Sequence, residues 1–276
     1  MTEENHAWVA GLKEVSAVGP VQISALRHGS INRSWRVASA AGVWVVRRNA
    51  AGAGVARSQE CLALRRAAAA DLAPEPVACC DAYLITRWLA GPEWNLAQLE
   101  DADALDQLAR RLRELHRLDV EGLAATNWAD RLPELLAFSP SKEEATLRRE
   151  VSDLAAELRV SSLIVDQHAL CHGDLHLGQL LGRNPVRFVD FEYACRANPM
   201  LDLAWLVQQH DLTPDQQLPL LAAYFGGADP YTRKLLALAL RLVRLLEFFW
   251  LEARLDQGYE VAGGESRLRQ LRLVLA

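Results

Sequence analysis

The chain has 276 residues, of which 51% are hydrophobic. That length predicts one large or two modest domains with a sizeable core, and the apolar content excludes intrinsic disorder. Basic residues number 30 and acidic ones 35, and the resulting net charge of −5 argues against a general nucleic-acid binder.

The first 90 residues read as sheet with one helix. Residues 21–26, 34–37 and 43–47 are short runs rich in β-branched or aromatic side chains, separated by Gly29 and by Ala40-Ala41-Gly42. They predict a three-stranded antiparallel meander. Residues 57–70 carry Cys61, Leu64 and Ala68 at helical spacing. Residues 77–80 and 83–86 flank Asp81-Ala82 and predict a hairpin, and 87–91 a hinge. Beyond Gly91-Pro92 the pattern turns helical. Leu105, Leu108, Leu112 and Leu115 form an apolar stripe, with Asp101 or Asp103 as N-cap. A second helix spans 142–159, a polar loop with two histidines 170–181, and a short strand 187–191; from Asp202 onward the chain is mostly helical. The expected fold class is α+β in two lobes: residues 1–87, a hinge at 88–91, and residues 92–276.

The five cysteines (Cys61, Cys79, Cys80, Cys171 and Cys195) form an odd set without a C-x-x-C pair. They predict free thiols in a reducing compartment rather than a disulfide framework or a zinc knuckle. The start, MTEENHAWVAGLKEV, lacks the apolar core of a signal peptide. The most apolar stretch, 235–251, contains Arg241, Arg244 and Glu247, which makes it a buried helix rather than a membrane span. The expectation is a cytoplasmic protein with no membrane, nucleic-acid or obligate protein partner.

The chemistry concentrates in His172-Gly173-Asp174-Leu175-His176-Leu177-Gly178-Gln179 and in Phe188-Val189-Asp190-Phe191-Glu192-Tyr193. Asp174 lies in a glycine-flanked loop, the Gln179 amide follows five residues later, and Asp190 ends an apolar strand. Two carboxylates and an amide oxygen are hard ligands suited to magnesium rather than zinc. Phosphoryl transfer needs such a set: a metal on the phosphate oxygens and a carboxylate that orients the attacking hydroxyl. Taken alone, each aspartate would sooner read as the cap of a turn. His172 and His176 lack the helix and the glutamate of a zinc-protease motif, and read as loop-ordering groups.

These segments resemble the catalytic and metal-binding segments of the aminoglycoside phosphotransferase and choline/thiamine kinase families, which share a protein-kinase-like fold. The resemblance extends over most of the chain. It implies Asp174 as catalytic base, and Gln179 and Asp190 as Mg2+ ligands. It implies ATP in an interlobe cleft, contacted by Ser30 and Asn32 of the loop LRHGSINRSWRV, by an arginine of strand three with Glu60 as its helix partner, and by Arg87 and Leu89 of the hinge. Strand alternation sends Arg47 and Arg48 to opposite faces, and the resemblance favours Arg47. His172 and Asp202 fall in supporting positions; by spacing alone Asp202 could be a helix N-cap. Gln179 stands where the families usually carry asparagine. A shifted loop, a bridging water or reduced activity would each accommodate it, and it keeps a nucleotide-binding pseudokinase open as an alternative. Glu192, Trp205, Glu247 and Trp250 are acidic and aromatic groups suited to a small cationic alcohol, although Arg241, Arg244, Glu247 and Arg254 equally fit the wet stripe of a packed helix. The expected activity is ATP- and Mg2+-dependent phosphorylation of such an alcohol, thiamine first and choline or ethanolamine second, with an aminoglycoside as the alternative acceptor.

Overall fold

A computed structural model describes residues 3–26, 32–50 and 55–275. The helices are α1 (Glu3–Ala10), α2 (Lys13–Ser16), α3 (Arg57–Ala69), α4 (Leu96–Glu100), α5 (Ala102–His116), α6 (Trp128–Phe138), α7 (Ala145–Arg159), α8 (Ser162–Val165), α9 (Met200–Gln209), α10 (Pro214–Phe225), α11 (Pro230–Asp256) and α12 (Gly264–Leu275). The strands are β1 (Gln22–Ala25), β2 (Arg33–Ser39), β3 (Gly42–Arg48), β4 (Pro76–Cys79), β5 (Tyr83–Arg87), β6 (Ala169–Cys171), β7 (Leu180–Leu181), β8 (Arg187–Phe188) and β9 (Cys195–Ala197). The fold class is α+β, as expected.

The chain forms two compact units, Met1–Glu93 with Gln179–Tyr193, and Trp94–Gly178 with Ala194–Ala276. The first unit holds a five-stranded antiparallel sheet in the order β1-β2-β3-β5-β4. The predicted meander supplies β1 to β3 and the predicted hairpin β4 and β5. The order puts β5, not β4, beside β3, with Val46 opposite Ile85 and Arg47 opposite Leu84. Alternation sends Trp35, Val37, Trp44, Val46 and Ile85 into one core with Val9 and Val15 of the N-terminal helices. Trp8 packs on Trp35 with ring centroids 5.8 Å apart.

Residues 179–193 return to this unit rather than following the simple division after the hinge. The β7–β8 hairpin pairs Leu180 with Phe188 and Leu181 with Arg187. It is tied down by the Phe188 N–H to the Leu72 carbonyl at 2.8 Å, the Gly182 N–H to the Pro92 carbonyl at 3.0 Å, and the Arg187–Asp71 ion pair at 2.8 Å. Gly91 and Gly182 make the close approach possible: a Cβ on Gly91 would lie 2.9 Å from the Gly182 nitrogen.

The second unit is helical around a short β6–β9 ladder. Asp101 is the N-cap of α5, accepting from the Ala104 N–H at 3.0 Å, and the Leu105, Leu108, Leu112 and Leu115 stripe is buried. The predicted helix from 142 begins only at Ala145. The predicted loop 170–181 opens on β6 and closes on a 3₁₀ turn, Leu177–Gln179. Of the strand 187–191, only Arg187 and Phe188 join the ladder. Among the described residues, no helix is long and apolar enough to cross a membrane.

The expectation of five free thiols is corrected: Cys61 on α3 and Cys79 on β4 are disulfide-bonded, with Cα atoms 5.9 Å apart. The chain turns back from α3 through a tight connection into β4, and that return, invisible in the cysteine spacing, brings the two side chains together. The bond closes a loop with a sequence separation of 18. Replacing Cys79 by serine under non-oxidising handling of the other thiols is expected to cost about 3 kcal/mol. A denaturant midpoint compared with the non-reduced parent checks this, and equal midpoints would count against the bond.

Candidate active site

In the N-terminal unit the site is organised by one buried cation. Strand alternation puts Arg47 on the face opposite the Trp44 and Val46 core, buried against α3 at 6% exposure, and Arg48 on the core's own face but exposed, where its guanidinium lies 5.0 Å from the centre of the Trp8 ring. Arg47 Nη2 meets Glu60 Oε1 of α3 at 2.5 Å, Nη1 meets Asp190 Oδ1 at 2.6 Å, and Nε donates to Asn49 Oδ1 at 3.1 Å. Burial alone would lower the Arg47 pKa, but Asp190, Glu60 and Glu192 outweigh it and raise it, so the group stays charged. The predicted pairing of Arg47 with Glu60 is therefore present.

Asp190 is placed by the β7–β8 hairpin. The Val189 N–H donates to the Gln179 carbonyl at 3.0 Å, one step beyond the Leu180–Phe188 pair, so Gln179 and Asp190 leave the ladder at the same end. Asp190 adopts a left-handed backbone, φ 67°, unusual for a non-glycine residue. Its carboxyl is raised to about 6 in all: desolvation pushes it up most, Arg47 pulls it down, and Glu192 and Glu60 push it up. Since the side chain keeps 42% exposure, water relieves part of the desolvation, and the group is ionised at neutral pH in either case. Gln179 is buried. A glutamine and an aspartate at one end of a hairpin, both hard-donor types, would suit a divalent cation such as Mg2+.

Glu192, expected beside the acceptor, is placed in this cluster instead. Its Oε2 accepts from Asn32 Nδ2 at 2.7 Å and from Arg57 Nη1 at 3.1 Å. Arg57 also binds Glu60 Oε2 at 2.8 Å, one helical turn away. Asn32, expected at the nucleotide, also accepts from the Ala50 N–H at 3.1 Å. Arg57 was missed in the sequence; its position three residues before Glu60 was the available signal. Ser30 lies outside the described residues. Arg87, on β5, stacks 5.3 Å over the Trp44 ring, and Leu89 is half-buried just beyond the strand.

In the helical unit the centre is Asp202. It sits inside the first turn of α9, fully buried, rather than at its N-cap. Its Oδ2 accepts from the His172 N–H at 2.8 Å, and its Oδ1 from the Gly173 N–H at 2.9 Å. His116 Nε2 approaches the same Oδ2 at 3.0 Å, and Nδ1 meets the Tyr224 hydroxyl at 2.6 Å. Burial would raise the Asp202 pKa; the His116 hydrogen bond and charge, His172 and the Gly173 N–H overcome it and hold the carboxyl below the usual range. This carboxylate therefore grips the backbone immediately before Asp174, itself half-buried. Neither His116 nor Tyr224 was singled out in the sequence, although a histidine directly after the leucine stripe of α5 was a visible sign of a buried polar group.

His176 orders the loop as expected, but as an acceptor: its Nδ1 takes the Gly178 N–H at 3.1 Å, while His210 Nε2 takes the Leu177 N–H at 3.0 Å. Cys171 and Cys195 have their thiols pushed up by burial and then by the charge of Asp202, Cys195 to about 12, which makes them inert. Trp205 is buried on α9. Glu247 is committed internally, accepting from Arg267 Nε at 2.8 Å and Gln208 Nε2 at 2.9 Å. The face of Trp250 is covered by Arg254 at 5.8 Å. Arg241, in the same stripe, pairs with Glu150 and Glu157. Glu192, Glu247 and Trp250 thus each have an internal partner, and in the stripe of α11 Glu247 and Arg254 are buried rather than wet.

The α+β architecture is protein-kinase-like, and solved structures share it. Choline kinase LicA from Streptococcus pneumoniae superposes with a TM-score of 0.77 at 17% identity, over 99% of each chain. A choline/ethanolamine kinase family protein from Mesorhizobium loti does so with 0.74 at 20% identity, over 99% of this chain and 94% of that one. In sequence, the chain is 27% identical over 174 residues to a "Protein LicA homolog" of Metamycoplasma hominis, a match covering 62% of this chain and 66% of that protein. The phosphotransferase enzyme family (APH) matches residues 22–238, and the chain belongs to that family.

The His176 imidazole is held down to about 4, by burial first and then by His172 and His210, against 6.5 when unfolded. Between those values the unfolded chain takes up a proton that the folded one refuses. Stability should thus fall as pH drops from 6.5 towards 4, by up to about 3 kcal/mol, and the loss should level off below that. Urea midpoints of the parent and His176→Gln across this window check it; a constant difference between the two proteins would contradict it.

Proposed function

We propose that this phosphotransferase is an ATP- and Mg2+-dependent kinase acting on the hydroxyl of a small cationic alcohol. The observation that carries the reading is the Arg47–Glu60–Asp190 cluster: a rigidly paired guanidinium next to a carboxylate at the end of a hairpin that also presents Gln179. Forked N–H donors suit phosphate oxygens, and hard oxygen donors suit Mg2+. Held by Asp190 and Gln179, Mg2+ would supply charge neutralisation on the phosphates. Arg47 binds phosphate, and Glu60 keeps its rotamer. Asp174, on a loop fixed by Asp202, orients the acceptor hydroxyl and takes its proton late, since a carboxylate is a feeble base for an alcohol.

Choline or ethanolamine leads as acceptor and thiamine follows, a ranking supported by the choline and choline/ethanolamine kinases among the solved structures of similar fold, which also include an aminoglycoside 2'-phosphotransferase. Trp205 and Trp250 are the aromatic groups proposed for the cation, whose attraction to an indole face is worth ~0.5–2 kcal/mol.

Asp174→Asn should lower turnover by ~10²–10⁴ while leaving Mg-ATP binding intact. A coupled assay for ADP release, paired with calorimetry, checks both halves; parent-like turnover would remove Asp174 from the mechanism. The acceptor is found by thermal shift with Mg-ATP plus choline, ethanolamine, thiamine or kanamycin, since a ligand of the folded state raises its melting point by mass action. A response to kanamycin alone would transfer the assignment to antibiotic modification. ATP binding without ADP release on any alcohol would favour the pseudokinase.

A further inference from the structure

All three nitrogens of the Arg47 guanidinium are engaged, and one partner stands out. Glu60 is 1% exposed and bonded by two arginines, so its bond to Arg47 is a fixed mount. Asp190 is 42% exposed and lies 2.6 Å from Arg47 Nη1. Under the functional reading above, on which this inference rests, Asp190 must offer its oxygen to a divalent cation and Arg47 its N–H to phosphate. In this structure they offer them to each other.

Consider each ligand arriving alone. A divalent ion on Asp190 Oδ1, at a ligand distance of ~2.1 Å, would face the guanidinium's like charge within about 5 Å. A polyphosphate that took the Arg47 Nη1 donor from Asp190 would face the released carboxylate, with Glu192 only 4.0 Å from that nitrogen. Each ligand alone uncovers a like charge. Arriving together they resolve both conflicts: the cation takes the carboxylate, the phosphate takes the guanidinium, and Glu60 holds Arg47 in place throughout.

We infer that the Arg47–Asp190 ion pair is a latch that makes divalent-cation binding and nucleotide binding mutually dependent. Linkage requires the coupling to be reciprocal. It also gives Arg47 two effects of opposite sign, favouring nucleotide and opposing free metal. A pair serving only to hold β3 to the 179–193 segment would give neither.

The test uses the full chain with Mn2+ as the metal probe, free Mn2+ being read by electron paramagnetic resonance, and with ADP as the nucleotide, followed by calorimetry with and without metal. For the parent, saturating ADP should tighten Mn2+ binding roughly 5–150-fold, and Mn2+ should tighten ADP by the same factor. Arg47→Gln should bind Mn2+ alone at least about fivefold more tightly than the parent, bind ADP more weakly, and lose the coupling. Additive binding in the parent would overturn the latch without any variant. Unchanged or weaker Mn2+ binding by a folded Arg47→Gln protein would also overturn it. Asp190→Asn separates the two levels: if it abolishes Mn2+ binding while the parent binds additively, only the latch falls; if Mn2+ binding survives it unchanged, the metal assignment falls too.

Discussion

A guanidinium at 6% exposure has to be met by carboxylates, and the N-terminal unit is arranged around that demand at Arg47. Leaving such a charge unpaired would cost about 3–5 kcal/mol, a large part of the stability of a domain. The two carboxylates that meet it come from different parts of the chain, Glu60 from α3 and Asp190 from beyond β8. Satisfying one cation therefore ties β3, α3 and the 179–193 segment together. This gives a physical reason why that late segment belongs with residues up to Glu93. Arg57 extends the same network to Glu192 and Glu60, so that two arginines and three carboxylates hold one another in place.

The helical unit repeats the device with the sign reversed. Asp202 is a fully buried carboxylate, and it is stable because two backbone N–H groups and His116 satisfy it. Those N–H groups belong to His172 and Gly173, so the requirement to satisfy a buried charge sets the backbone that precedes Asp174. The His116–Tyr224 contact carries the network on to α10. In both units the groups assigned to chemistry are held by buried polar networks rather than by apolar packing. Such networks tolerate little loss, because removing one member leaves the others buried and unsatisfied.

Residue type does not say which charges are already engaged. Glu192, Glu247 and Trp250 form an acidic and aromatic set suited to a cation, yet each is matched with an arginine of this same chain: Arg57, Arg267 and Arg254. The chain has 30 basic residues to neutralise 35 acidic ones, and a carboxylate or ring near a guanidinium in the fold is engaged before any ligand arrives. The cysteines show the same limitation. Their spacing and odd count spoke for free thiols, while the return of β4 onto α3 joined Cys61 to Cys79.

From its order of residues alone the chain declared an α+β fold, the β1–β3 meander, the helix of Glu60, the leucine stripe of α5 and the two motif segments around Asp174 and Asp190. These are local properties: alternation, helical periodicity and motif spacing are written within a few residues of one another. Only the tertiary structure decided that β5 lies beside β3, that Arg47 rather than Arg48 is buried among carboxylates, that His116 and Tyr224 stand behind Asp202, and which carboxylates are spent on internal pairs. Arg47 and Asp190 are 143 positions apart, and His116 and Asp202 are 86 apart. No local pattern encodes such a pairing, because the partner of a buried charge is selected by the whole fold that removes it from water.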